Sequence, residues 1–185
     1  MKFVLHYRGA LRSNGTPAHK HDLRQVFHQQ LKKLWSQPPL SEEHTLLRQR
    51  TQNGHYSLLR PLSGFTFVPL ITAEMNGIAE LQITILRPEP PGNLITQGGD
   101  IDNRLKTLFD ALTMPRLANA LPSVATPGPD QDPFFCLLED DNLITALSVR
   151  TEQLLEPIIE PTHIDVLISV KTGVTKQTMD NFILG

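Results

Sequence analysis

Three aspartates and a lysine lie close together in one short stretch of the sequence, GGDIDNRLKTLFDAL, residues 98–112. Asp100 and Asp102 are separated by one residue, and Lys106 and Asp110 follow at steps of four. Side chains four residues apart share one face of a helix. A helix that begins near Asp102 would therefore carry a polar row, with the apolar residues on its opposite side (Ile101, Leu105, Leu108, Phe109 and Leu112).

Two neighbouring carboxylates suggest a bound cation. Asp100 and Asp102 repel each other unless a positive charge lies between them, and Mg²⁺ prefers such hard oxygen ligands together with water and phosphate. A solvated surface helix, capped by Asp102 and stabilised by charge pairs, is the alternative. The surface helix explains Asp110 as well as a cation site does. It explains the neighbouring pair Asp100 and Asp102 less well, because a cap needs only one acid.

A second acidic cluster, EDDN at residues 139–142, precedes a predicted strand. It could be a solvated turn. If the strand lies beside the start of the helix, Asp140 or Asp141 would complete the cation site, and Lys106 would bind a phosphate oxygen or orient the attacking water.

Other uses of an Asp-x-Asp pair fit this sequence poorly. Haloacid-dehalogenase-type phosphatases have a threonine where Arg104 stands. Sugar-nucleotide transferases place a nucleotide-binding domain before the pair, and calcium-hand loops need further oxygen ligands at alternating positions.

Together, DIDNRLKTLFDAL and LEDDNLI resemble the RusA-type Holliday junction resolvases, which are metal-dependent endonucleases of bacteria and phages. The resemblance spans about residues 78–171 and is sharp in those two blocks. It implies that Asp100, Asp102 and Asp141 bind magnesium, with Asp140 a further contributor. It also implies that Lys106 is catalytic, that Asn103 and Asp110 support the site, and that the protein acts as a homodimer.

The charge distribution fits an anionic partner. Residues 1–60 contain ten Lys or Arg and three Asp or Glu, whereas residues 61–185 contain seven and sixteen. We therefore expect this basic third to contact DNA phosphates. The candidates are Arg8, Arg12, Lys20, Arg24, Lys32 and Lys33. His19 and His21 could contribute to DNA contacts, but they are expected to be solvated loop residues. Phe27 and Trp35 are expected to be core residues rather than base-stacking groups.

The sequence pattern predicts one α/β (α+β) domain over residues 1–185, with a small mixed sheet and an extended N-terminal region. Alternation predicts a first strand in KFVLHY and a last one in THIDVLISVK, and residues 19–39 predict a helix that ends at two prolines. Asn76-Gly77 predicts a β-hairpin. Residues 113–135, with five prolines, predict a long surface insertion.

The cysteine content and the absence of long apolar segments indicate the cellular compartment in which the protein is expected. The single cysteine, Cys136, excludes an intramolecular disulfide and is expected to be buried. Neither a secretory signal nor a membrane span is evident, so a cytoplasmic protein is expected. The resemblance to RusA-type resolvases implies a bacterial or phage origin.

Two functions follow as hypotheses. The first is a Mg²⁺-dependent endonuclease, in which Mn²⁺ could substitute, that cuts branched DNA in recombination or repair. The second is a non-catalytic nucleic-acid- or protein-binding module that has retained the fold.

Overall fold

The computed structural model describes residues 1–49, 56–88, 101–156 and 163–184. Within these ranges the protein is a mixed α/β structure with two helices and two mixed sheets. The helices are α1 (Pro17–Trp35) and α2 (Ile101–Leu112). The strands are β1 (Lys2–Ala10), β2 (Arg60–Leu62), β3 (Phe65–Ile71), β4 (Gly77–Arg87), β5 (Phe134–Leu138), β6 (Ile144–Gln153) and β7 (His163–Val174). The predicted fold class is confirmed.

The larger sheet has the strand order β1-β7-β4-β6. β7 is antiparallel to both β1 and β4, whereas β6 is parallel to β4. Because side chains alternate between the faces of a strand, Leu5 of β1, Ile168 of β7 and Ile83 of β4 point into the core. The other face carries mainly polar side chains, including Ser169 and Gln82.

The smaller sheet has the order β2-β3-β5, with β3 parallel to β5. It separates two apolar clusters. Phe135 and Leu137 of β5 belong to the main core, which also contains Phe27 and Trp35 of α1. Phe134 and Cys136 alternate with these residues along β5 and point to its opposite face. There they pack in a second cluster with Phe65, Phe67 and Leu121. The predicted burial of Phe27, Trp35 and Cys136 is confirmed.

The hairpin predicted at Asn76-Gly77 is wrong. The turn exists, with Asn76 at a φ of 52° and the Gly77 N–H donating to the Thr72 carbonyl at 2.9 Å. However, β3 and β4, which flank this turn, belong to different sheets. Both edges of β4 are already paired, with β6 and β7, so β3 cannot pair there.

The Pro-rich segment 113–135 is packed at both ends and in the middle. Thr113 forms a parallel bridge with Leu138, and the Met114 N–H donates to the Leu138 carbonyl at 2.9 Å. Leu121 is only 5% exposed, although its neighbour Val124 is 87% exposed. The segment is therefore anchored by one buried leucine between exposed turns.

Candidate active site

Helix α2 separates its polar row from its buried row, as its sequence predicts. Leu108 and Leu112 are buried, whereas Asp102 and Lys106 are exposed one turn apart. Asp102 lies in the first turn, where its carboxylate accepts the Asn103 N–H at 2.8 Å and complements the positive end of the helix dipole. The buried sector also includes Thr107 and Ala111, and Ile101 is 42% exposed rather than buried.

The loop after β1 is docked on the side of α2. The Gly15 N–H donates to the Thr107 hydroxyl at 2.9 Å, and Arg104 donates to the Leu11 carbonyl at 2.9 Å. A Cβ on Gly15 would lie 2.7 Å from the Thr107 methyl group, so this approach requires glycine. The docked loop leads directly into α1 and so positions the start of α1 beside α2.

Two cations of α1 bind the C-terminal half of α2. The Lys20 ammonium lies 2.7 Å from a carboxylate oxygen of Asp110. The Arg24 guanidinium donates to the Asp110 carbonyl at 2.7 Å and to the Thr113 carbonyl at 3.2 Å. Because the last carbonyls of a helix lack intrahelical partners and carry partial negative charge, Arg24 caps the C-terminus of α2.

The acidic turn after β5 lies beside that same end of α2. The bridge between Thr113 and Leu138 holds the chain after α2 against the last residue of β5. Asp140 accepts the Asn142 N–H at 3.0 Å and forms an ion pair with Arg116. Asp141 is exposed and lines a cavity that is also lined by Asp110.

The two sequence blocks thus meet at the end of α2, whereas the sequence analysis expected them to meet at its start. The cavity is lined by Asp110 and Asp141 but not by Asp102 or Lys106, which lie one to two turns earlier. The predicted metal ligand Asp100 lies outside the described residues. Among the described acids of the two blocks, the structure therefore brings Asp110 and Asp141 to the same cavity.

No three His, Cys, Asp or Glu side chains form a metal-binding group among the described residues. Two motif acids already have cationic partners, Asp110 with Lys20 and Asp140 with Arg116. Asp102 and Asp141 have no ion-pair partner within the described ranges, and both are exposed. Carboxylate oxygens without an ion-pair partner are the kind of ligand that Mg²⁺ binds.

The six predicted DNA contacts do not share one open surface. Arg8 lies on the sheet face opposite Tyr7, where it pairs with Asp165 at 2.6 Å and with Glu156 at 3.1 Å. Lys32 pairs with Asp130, and Arg12 and Lys33 are exposed. Lys20 lines the cavity, and Arg24 is only 2% exposed. The charge count gave no indication that Arg24 is buried.

The two histidines near the start of α1 are part of that helix, not of a solvated loop. His21 is 5% exposed and packs against Phe65 and Phe134, with ring centroids 5.7 and 5.8 Å away. Burial lowers the pKa of His21, so the ring is neutral near pH 7. The His19 ring accepts the Arg12 N–H at 3.3 Å.

Sequence reasoning missed Thr113 and Arg116. Both line the cavity, together with Lys20, Arg24, Asp110 and Asp141. One signal was available for Arg116, because it is the only basic residue in segment 113–135. No signal marked Thr113, whose position depends on the pairing of the chain after α2 with β5.

The fold and the site define a mixed α/β protein with an acidic and basic cavity at the end of its second helix. No family model matches the chain, and neither the curated proteins nor the solved structures give a match. Within the described part of the chain, neither helix has the length and apolar character that crossing a membrane requires.

Proposed function

We propose that this protein is a Mg²⁺-dependent, structure-selective DNA endonuclease that acts as a homodimer on branched DNA such as a Holliday junction. One observation carries the proposal: Asp110 and Asp141, from the two blocks that resemble RusA-type resolvases, line one cavity together with Lys20 and Arg24. Carboxylates beside cations are the groups that a metal-dependent phosphodiesterase needs.

The oxygen donors that the RusA-type resemblance implies are of the kind that magnesium binds, although Asp102 lies about two turns before the cavity that Asp110 and Asp141 line. Asp102 and Asp141 have no ion-pair partner among the described residues, and together with Asp100 they would hold the ion, with Asp140 contributing. When bound, Mg²⁺ would lower the pKa of a coordinated water and neutralise charge on the scissile phosphate. Mn²⁺, with similar oxygen-ligand preferences, could substitute.

The chain's own residues have separate tasks in this mechanism. Lys106, exposed one turn after Asp102, supplies positive charge where the phosphate becomes most negative. The Asn103 N–H donates to the Asp102 carboxylate at 2.8 Å and helps to orient it. Asp110 holds Lys20 at 2.7 Å and so fixes a cation at the cavity wall.

The test is a cleavage assay on four-way, forked and linear DNA with Mg²⁺, with Mn²⁺ and with EDTA. We expect cleavage only with metal, and a loss of at least about 10²-fold in Asp102→Asn and in Asp141→Asn. Asp22→Asn is the matched control, because Asp22 is exposed on α1 and does not line the cavity. A wild type that cuts nothing, or Asn variants that cut as well as it does, would end the proposal.

A non-catalytic binding module is the second candidate. The pairs Lys20–Asp110 and Arg116–Asp140 favour it, because they neutralise two motif acids without a metal. Thermal melting with and without Mg²⁺, run beside the cleavage gel, separates the two functions. DNA binding or metal stabilisation without any cleavage would favour the module.

A further inference from the structure

A cavity of about 460 Å³ lies between α1, the C-terminal end of α2 and residues 113–120. Its charged lining consists of Lys20, Arg24 and Arg116, opposed by Asp110 and Asp141. Its apolar lining includes Pro17, Met114 and Leu117. A cavity with this mixture of charged and apolar lining could hold a charged group attached to a less polar one.

Arg24 is a buried cation without a carboxylate partner in the described structure. It is 2% exposed, and its hydrogen bonds within the described residues go to the neutral backbone carbonyls of Asp110 and Thr113. One terminal nitrogen, Nη1, is buried and has no hydrogen-bond partner among the described residues. A buried donor without a partner is costly, and an anion would satisfy both the donor and the charge.

The neighbouring cysteine does not supply that negative charge. Cys136 is buried, and burial raises the pKa of its thiol to about 12, so it is a neutral thiol at physiological pH. Burial likewise lowers the pKa of Arg24. The Asp110 carboxylate partly offsets this by raising the pKa of Arg24, but it forms no hydrogen bond with Nη1 among the described residues. A further anion could approach Arg24 from the cavity, where Arg24 is part of the wall.

Thr113 provides a second unsatisfied group in the same wall. Its hydroxyl oxygen is buried and has no partner among the described residues, and the Arg24 Nε donates to its carbonyl at 3.2 Å. Lys20 lines the same cavity, and its ammonium donates to Asp110 with only one of its three protons. Arg24, Lys20 and the Thr113 hydroxyl therefore line the same cavity, and each has hydrogen-bonding capacity that the described residues do not use.

We propose that this wall binds a phosphodiester group of a nucleic-acid strand, through Arg24, Lys20 and the hydroxyl of Thr113. This inference rests on the proposed function, because it gives the DNA strand a second point of attachment beside the motif acids. A phosphodiester offers several oxygens to these donors. Pro17, Met114 and Leu117 contact the attached sugar or base, which explains why the cavity is larger than one phosphate needs.

The experiment measures binding of a short fluorescein-labelled single-stranded oligothymidylate by fluorescence anisotropy in EDTA, so that cleavage does not interfere. Arg24→Gln should raise Kd about tenfold and lower the slope of log Kd against log salt by about 1. Thr113→Val should raise Kd about threefold without changing the slope, because it removes a hydroxyl and no charge. Lys20→Gln should act like Arg24→Gln.

Matched controls exist on the outer face of the larger sheet. Arg150→Gln removes an exposed charge, and Thr84→Val removes a hydroxyl from a strand position, both away from the cavity. Both should bind within about twofold of wild type. Circular dichroism and thermal melting check folding. If Arg24→Gln does not fold, Thr113→Val and Lys20→Gln decide the outcome.

The results separate this inference from the proposed function. Weaker oligonucleotide binding in the cavity variants supports the phosphodiester site, even if the wild type never cuts DNA. Cleavage in wild type with unchanged binding in every cavity variant overturns the site and leaves the nuclease standing. Inorganic phosphate that raises Tm in wild type but not in Thr113→Val, with oligonucleotide binding unchanged, overturns the nucleic-acid assignment in favour of free phosphate.

Discussion

The Lys20 ammonium lies 2.7 Å from the Asp110 carboxylate and joins the first helix to the polar row of the second. Both side chains are partly exposed, 25% and 38%, so water and salt screen the pair. It links two helices whose residues line the cavity.

A double-mutant cycle measures this pair. We expect Lys20→Met and Asp110→Asn to show a coupling free energy of about 0.5–1 kcal/mol, because the pair is only partly buried. Urea denaturation gives the free energies of unfolding for the wild type, the two single variants and the double variant. The coupling should fall in 1 M salt. A coupling near zero at low salt would mean that the pair does not hold the helices together.

Leu121 is the anchor of the Pro-rich segment. Leu121→Ala should lower the free energy of unfolding by about 2–3 kcal/mol, because it removes a buried side chain from the cluster of Phe65, Phe67 and Phe134. Val124→Ala, at an 87% exposed position of the same segment, should change it by less than about 0.5 kcal/mol. Urea denaturation of both variants provides the comparison. Equal effects would show that the segment is not anchored through Leu121.

The sequence predicted the helices and the first and last strands well because their signals are local. Apolar periodicity marks α1 and α2, and alternation marks β1 and β7. It left the stretch that contains β2 open between a strand and an extended arm, and it did not identify β5 as a strand. β5, FFCLL, is apolar throughout because both of its faces are buried, so it shows no alternation.

The site was only partly predictable, because it depends on non-local pairing. Spacing along α2 indicated the polar row of Asp102, Lys106 and Asp110. It could not show that Thr113 pairs with Leu138, which brings the acidic turn to the end of the helix. Nor could the charge of Arg24 reveal its burial, because its neighbours come from distant parts of the chain.

Asp165 predicts how stability depends on pH. Hydrogen bonds from Arg8, followed by one from His6, lower the pKa of this carboxyl below its usual value. Because the folded-state pKa is depressed, the stabilisation is present above the unfolded-state pKa of about 4 and is lost as pH falls through the lower folded-state value. The free energy of unfolding should therefore drop below about pH 4 in wild type and drop less steeply in Asp165→Asn.

The measurement is urea denaturation at a series of pH values from neutral to acid. Glu152→Gln serves as the control, because Glu152 is exposed on β6 and has no ion-pair partner among the described residues. Parallel pH profiles for wild type and Asp165→Asn would contradict the assignment.

Cys136 should be chemically inert in the folded protein. It is 2% exposed, and burial raises the pKa of its thiol to about 12, so thiolate is scarce at pH 8. We expect its reaction with a thiol reagent to be at least about 100-fold slower in native protein than in urea. Ser148→Cys in a Cys136→Ala background, at an exposed position of β6, should react at the unfolded rate without urea. A fast native reaction of Cys136 would show that the second cluster opens readily.

Arg116 competes with a metal ion for Asp140 if the proposed function is correct. Its guanidinium pairs with Asp140, yet its side chain is 64% exposed and lies in the Pro-rich segment. Arg116→Ala should therefore lower the Mg²⁺ concentration needed for half-maximal cleavage about threefold, and should raise the Tm gained from Mn²⁺. Arg150→Ala, an exposed arginine on β6, is the matched control. An unchanged metal requirement together with an unchanged Tm would show that Asp140 takes no part in metal binding, whereas a Tm gain without cleavage would favour the binding module.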